Sequence, residues 1–132
     1  MNMARPPPSD AAKTAVPTLG NVVARAGLVS RLAQTVAPAA WLAAPSGTGK
    51  STLVASYAAG SGRKLVWYRL DSRDDDPAFF YGSLAAALAA AVPEMPPLPR
   101  FTAEDGSDEA AFTDRFVAML CNGNVPALLL VF

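Results

Sequence analysis

The sequence predicts an α/β fold in which a parallel sheet is flanked by helices. Three observations carry that prediction. Short apolar runs at 39–44, 64–70 and 127–132 read as buried strands, and apolar stripes at helical spacing fall between them. A Gly- and Lys-containing turn at 44–51 joins the first run to the first intervening helix. Strands in the order strand, helix, strand, helix, helix, strand pair most simply in parallel, because each return crossing passes over a sheet face.

Residues 1–20 are Pro- and Ala-rich without a continuous apolar stretch, so they read as a disordered lead-in and not as a signal peptide. Residues 19–35 look helical: Val22, Val23, Leu28, Val29, Leu32 and Val36 recur at helix-like intervals, with Gly27 an interruption and Pro38 the end. The first strand, 39–44, centres on Trp41 and Leu42. The next helix, 50–59, carries Leu53, Val54, Tyr57 and Ala58 on one stripe and stops at Gly60-Ser61-Gly62. The second strand, 64–70, is rich in aromatic and branched residues. A polar break at 71–77 supplies Asp75 or Asp76 to cap a helix that opens at Pro77 and carries Phe80, Leu84, Leu88 and Val92. The Pro-rich stretch 93–107 reads as a loop. Residues 108–120 align Phe112, Phe116 and Leu120 behind an acidic first turn, and Asn122-Gly123-Asn124 turns the chain into the third strand.

With 132 residues the chain has room for one small domain, expected over 21–132. Hydrophobic residues make up 52%, but much of that share is Ala, which buries little area. Eleven basic residues balance 11 acidic ones, so the footprint that nucleic acid requires is missing. Cys121 is the only cysteine; no intrachain disulfide can form, and a cytoplasmic setting is expected. The absence of His excludes His-based metal sites and His general bases from this chain. No apolar run approaches the roughly 18 residues of a membrane span.

The candidate binding residues are Ala44, Pro45, Ser46, Gly47, Thr48, Gly49, Lys50, Ser51 and Thr52. Residues 44–51 satisfy the phosphate-loop pattern G-x-x-x-x-G-K-[ST] at every defined position but the first, where Ala44 replaces Gly. A chance match to a loosened form of this octamer in a chain of this length has a probability of roughly 1% at average residue frequencies. Gly47 and Gly49 permit close backbone approach, and amides from Gly47 through Ser51 are placed to surround a β-phosphate. Lys50 brings a point charge to the β- and γ-phosphates, and the Ser51 hydroxyl suits Mg²⁺. The run Asp71, Asp74, Asp75, Asp76 invites a metal site, but carboxylates gathered in a loop more often repel one another into solvent. Arg69 fits either a sheet edge or a pair with an Asp. The Trp and Phe residues read as core.

These residues together resemble a known family. Arg25-Ala26-Gly27-Leu28-Val29-Ser30-Arg31-Leu32, the stretch Trp41-Leu42-Ala43-Ala44-Pro45-Ser46-Gly47-Thr48-Gly49-Lys50-Ser51-Thr52-Leu53, and Val66-Trp67-Tyr68-Arg69-Leu70-Asp71 followed by Asp75-Asp76-Pro77-Ala78-Phe79-Phe80 are similar to the start of STAND-type NTPases. These are the signal-transducing ATPases of large LuxR-like, maltose-regulator-type bacterial transcription activators. The resemblance implies a partial P-loop NTPase fold of the additional-strand class, ATP or ADP with Mg²⁺ as ligands, and an approach of Arg25 to adenine or phosphate. It implies DNA contact only through domains outside this chain, no membrane association, and self-association as a property for the longer protein to decide. In this family the strand at 128–132 leads into the Walker B acidic pair, so the chain is expected to be an N-terminal fragment cut at that strand and without catalysis of its own. The 39–44 strand would then lack a neighbour, which leads to an expectation of aggregation or partial folding in isolation. Two alternatives stand beside this: a small-metabolite P-loop kinase, whose loops share a Ser-Gly-x-Gly-Lys core, and a non-functional truncated product.

Overall fold

The computed structural model describes residues 10–122 and 125–132. The chain divides into two packing units, one made of the described residues through Ala15 together with Lys64–Phe132, the other of Val16–Arg63. We refer to them as the sheet unit and the loop unit.

The sheet unit is built on two parallel strands, β1 (Lys64–Trp67) and β2 (Leu128–Val131), in the register Lys64↔Leu128 to Trp67↔Val131. Hydrogen bonds from Lys64 N–H to Ala127 O (3.0 Å) and from Tyr68 N–H to Val131 O (2.8 Å) extend the ladder at both ends. Its two longest helices are α4 (Pro77–Ala91) and α5 (Glu109–Leu120). Both begin where sequence chemistry says they should. The Asp76 carboxylate accepts from Ala78 N–H at 3.0 Å with Pro77 in the first turn, and the Asp108 carboxylate accepts from Ala111 N–H at 3.0 Å. Of the expected stripe along α4, Leu84, Leu88 and Val92 are buried, while Phe80 is half-buried and Tyr81 is buried beside it.

Val66, Tyr68, Tyr81, Leu84, Leu88, Phe112 and Phe116 form the core. Its centre is aromatic. The Tyr81 ring meets Phe112 edge-on with centroids 4.7 Å apart and stacks on Phe101 at 5.9 Å. The Tyr81 hydroxyl pairs with Thr113 Oγ1 at 2.6 Å, so this phenol enters the core without an orphaned polar atom.

Three expectations need correction. The lead-in expected to be disordered through Gly20 contains a helix, α1 (Asp10–Thr14); its first nine residues lie outside the described residues. The strand expected at 64–70 ends at Trp67, because Arg69 is paired through its N–H with Lys13 O at 2.9 Å instead of with another strand. The strand expected at 39–44 does not form: those residues carry no regular structure, and Trp41 is 93% exposed. An apolar segment becomes a strand only by pairing its backbone, and among its described residues the loop unit holds no other strand. The turn expected at 122–124 falls partly outside the described residues.

The loop unit consists of α2 (Ala26–Ala33), α3 (Lys50–Gly60) and the irregular chain around them, with the two helices packed on each other. Helix α2 is shorter than the 19–35 expected, since its first residue follows Arg25, which offers no side-chain cap. Among the described residues no helix is long and apolar enough to cross a membrane.

Candidate functional site

Residues 44–52 form a tight turn followed at once by a helix. Gly47 and Gly49 have φ of 79° and 81°, the left-handed region that L side chains rarely adopt. Gly49 is the residue before α3, and its carbonyl accepts the first intrahelical bond, from Leu53 N–H at 2.9 Å. The amides of Lys50, Ser51 and Thr52 precede that bond, so helix geometry leaves them without an intrahelical acceptor. They are the donors that an anion at this helix start would use.

Two side chains brace the turn from within. Thr48 Oγ1 donates to Pro45 O at 2.8 Å, and Lys50 Nζ donates to Ala44 O at 2.5 Å and Pro45 O at 3.0 Å. An ammonium has three N–H groups, so two are engaged and one remains. Residues 44–47 and Ser51 are exposed, whereas Thr48, Gly49, Lys50 and Thr52 are half-buried.

Gly49 is also where a second element arrives. A Cβ placed there would lie 3.5 Å from Arg25 Nη2 and 3.7 Å from Arg25 Cζ, so the guanidinium sits directly over the glycine. Beside it opens a cavity of about 290 Å³, lined by Val22, Val29 and Leu53 and by Arg25, Gly49 and Thr52 among others. The structure thus brings Arg25, Gly49, Lys50 and Thr52 into one neighbourhood, with apolar surface next to cationic side chains.

The acidic run behaves differently from its expected solvation. Asp75 and Asp76 are exposed, but the Asp74 side chain is only 6% exposed and shares Lys13 with Asp71, at 2.5 and 2.9 Å. Asp74 also accepts from the Tyr68 hydroxyl (2.6 Å) and from Asp71 N–H (2.7 Å), and Arg73 closes on Asp71. Burial would lower the Lys13 pKa, but hydrogen bonds to Asp74 and Asp71 outweigh it and hold the ammonium above its ordinary value. Burial works to raise Asp74, and the bonds from Lys13 and Tyr68 overcome it and keep the carboxyl low. Asp71 is held low by Arg73 first and then by Lys13. Tyr68, buried and donating to Asp74, is pushed up to about 12. Arg69 is exposed. Among the described residues no three His, Cys, Asp or Glu side chains are grouped so as to hold a metal ion.

Sequence reasoning missed Lys13 altogether, and no local signal could have found it. Its partners lie 56 to 61 residues away.

What the turn defines is a class: a chain that presents backbone amides and an ammonium at a helix start, next to a cavity of mixed apolar and polar lining. Comparison with known proteins adds a relative. Over 71 residues the chain is 45% identical to the HTH-type transcriptional regulator MalT of Serratia proteamaculans (strain 568), a match that takes in 53% of this chain and 8% of that regulator. The chain therefore shares a segment with a transcriptional regulator and corresponds to less than a tenth of its length. No protein-family model matches the chain. No solved structure gives a significant match.

Proposed function

We propose that this chain is the ATP- or ADP-binding portion of a signal-transducing switch of the STAND type, within a LuxR-like transcriptional regulator whose remaining parts lie elsewhere. The observation that supports it most is the turn with φ of 79° and 81° at Gly47 and Gly49, opening directly into α3 with Lys50 at its first position. Amides at a helix start favour anions, and the third N–H of Lys50 is available to a phosphate oxygen. The cavity beside Gly49 offers both apolar surface, from Val22, Val29 and Leu53, and polar groups, from Asn21, Arg25 and Thr52, that a nucleoside could use. The segment shared with a transcriptional regulator favours a regulatory role over metabolite phosphorylation.

A parallel P-loop sheet is part of this proposal. In it, β1 and β2 would be neighbouring strands, and 39–44 would join the sheet only when offered a partner. Mg²⁺ would be held by phosphate oxygens and the exposed Ser51 hydroxyl, since no acidic group of three stands ready among the described residues. The ion would supply charge neutralisation between the β- and γ-phosphates. The setting expected for such a regulator is cytoplasmic.

The test is the affinity of a fluorescent ADP analogue for the intact chain and for Lys50→Ala. A hydrogen bond to a charged group is worth about 1.5–3 kcal/mol, so the variant should bind roughly 10- to 100-fold more weakly. Equal affinities would remove the loop from the proposed site.

A further inference from the structure

Helix α1 has five residues, too few to persist alone, and its side chain most engaged with the rest of the sheet unit is Lys13. Lys13 is 4% exposed and spends its three N–H donors on Arg69 O (2.9 Å), Asp71 Oδ2 (2.9 Å) and Asp74 Oδ2 (2.5 Å). Its own carbonyl accepts from Arg69 N–H at 2.9 Å. Lys13 therefore satisfies both backbone groups of Arg69, as a neighbouring strand would, and neutralises two carboxylates of the turn that follows. Its ammonium also stands 4.7 Å from the centre of the Tyr68 ring, a cation–π contact.

That turn is the link between β1 and α4. Asp71 accepts from Arg73 N–H, the Asp74 carboxylate returns to Asp71 N–H, and Asp76, at the end of the turn, caps α4. Its geometry thus depends on two carboxylates that accept from one ammonium. Without Lys13, Asp71 would keep Arg73, and Asp74 would keep the Tyr68 hydroxyl and Asp71 N–H, but the cation shared by the two carboxylates would be gone while Asp74 is still withdrawn from water. Separation into solvent is the relief available to them, and it requires the turn to open. The turn lies at the carboxyl end of β1, the end at which open parallel sheets carry their ligand-contacting loops.

We propose that Asp10–Thr14 is a latch: Lys13 holds the 71–76 turn closed, and release of this short helix frees the turn while the aromatic core stays folded. The N-terminal segment then sets the mobility of the loop at the carboxyl end of β1. Nothing in the proposal depends on nucleotide binding.

The test is hydrogen–deuterium exchange on the full chain for the wild type, Lys13→Met, Lys13→Arg and Asp74→Asn. Lys13→Met should accelerate exchange of amides in 71–78 at least tenfold and leave the Phe112–Phe116 region within twofold of wild type. Lys13→Arg, which keeps the charge, should recover most of that protection. Unchanged exchange in 71–78 would overturn the latch, and so would equal acceleration through the whole sheet unit, because Lys13 would then be a general stabiliser. Should Lys13→Met fail to fold, Asp74→Asn decides: selective opening of 71–78 supports the latch, and uniform or absent change rejects it.

Discussion

The two units are built from similarly apolar sequence and bury it to very different extents. In the sheet unit, Tyr68, Leu88, Val92 and Phe112 are wholly inaccessible and Phe116 nearly so. In the loop unit the buried residues are Leu53, Ala55 and Ala58, while Val23, Val36 and Trp41 are 81%, 100% and 93% exposed. Large aromatic side chains gathered between two helices and a sheet make one a core; scattered aliphatics around two short helices leave the other mostly surface. Stability is therefore concentrated in the sheet unit, and the candidate binding turn belongs to the part with least apolar burial. That arrangement is common, since binding elements are drawn from regions of low local stability.

The sharpest way to break this comparison is to cut into both units equally. Phe112→Ala removes a ring that touches Tyr81, Phe101 and Phe116, and a buried Phe→Ala change costs about 3–5 kcal/mol. That approaches the whole stability of a small domain, so the sheet unit should lose its cooperative transition. Trp67 is buried in this unit and Trp41 is exposed, so urea unfolding followed by fluorescence in a Trp41→Phe background reports the sheet unit alone. Leu53→Ala should move that transition little. Equal effects from the two truncations would mean that the stability is shared after all.

What could be read from the sequence follows the same division. Helices α4 and α5 were legible because period, cap and turn agree: Asp76-Pro77 and Asp108 start them, and the apolar stripes face one core. The turn at 44–52 was legible because its chemistry is local, with glycines where φ is positive and Lys50 at the start of α3. The 39–44 strand was misread because apolarity describes what a segment would like to bury, whereas a strand also needs a partner that the segment itself cannot specify. Lys13 was invisible for a related reason. A lysine in a Pro- and Ala-rich lead-in looks solvated until the fold brings Arg69, Asp71 and Asp74 around it.

A second prediction concerns pH and singles out the sheet unit. Asp71 and Asp74 have folded pKa values below their unfolded ones, so their contribution is complete above about pH 5 and is lost as pH falls through about 4 and lower. Lys13 is raised, and its contribution is complete below about pH 10 and lost as pH climbs through its folded value. Tyr68, pushed up to about 12, favours the neutral phenol in the folded state and adds to the loss above pH 10. Trp67-reported stability should show a plateau between these limits and fall on both sides. Asp74→Asn should flatten the acid side, and an unchanged acid limb in that variant would separate this cluster from the stability of the sheet unit.

The smallest effect expected is the most discriminating for the loop unit. Trp41 is a large apolar side chain in water, in a segment that pairs with no strand among the described residues, and a side chain so exposed adds little to the stability of the unit that bears it. Trp41→Ser should therefore change unfolding free energy by no more than about 0.5 kcal/mol, the range for surface positions. Its effect should appear in association: light scattering at rising concentration should show less self-assembly than wild type, because an exposed apolar segment with unpaired backbone groups invites strand pairing between copies. A destabilisation above about 1 kcal/mol, or scattering unaffected by the change, would show that Trp41 is packed in solution. The loop unit would then have a core of its own, and the contrast between the two units would shrink to the difference between Phe112 and Leu53.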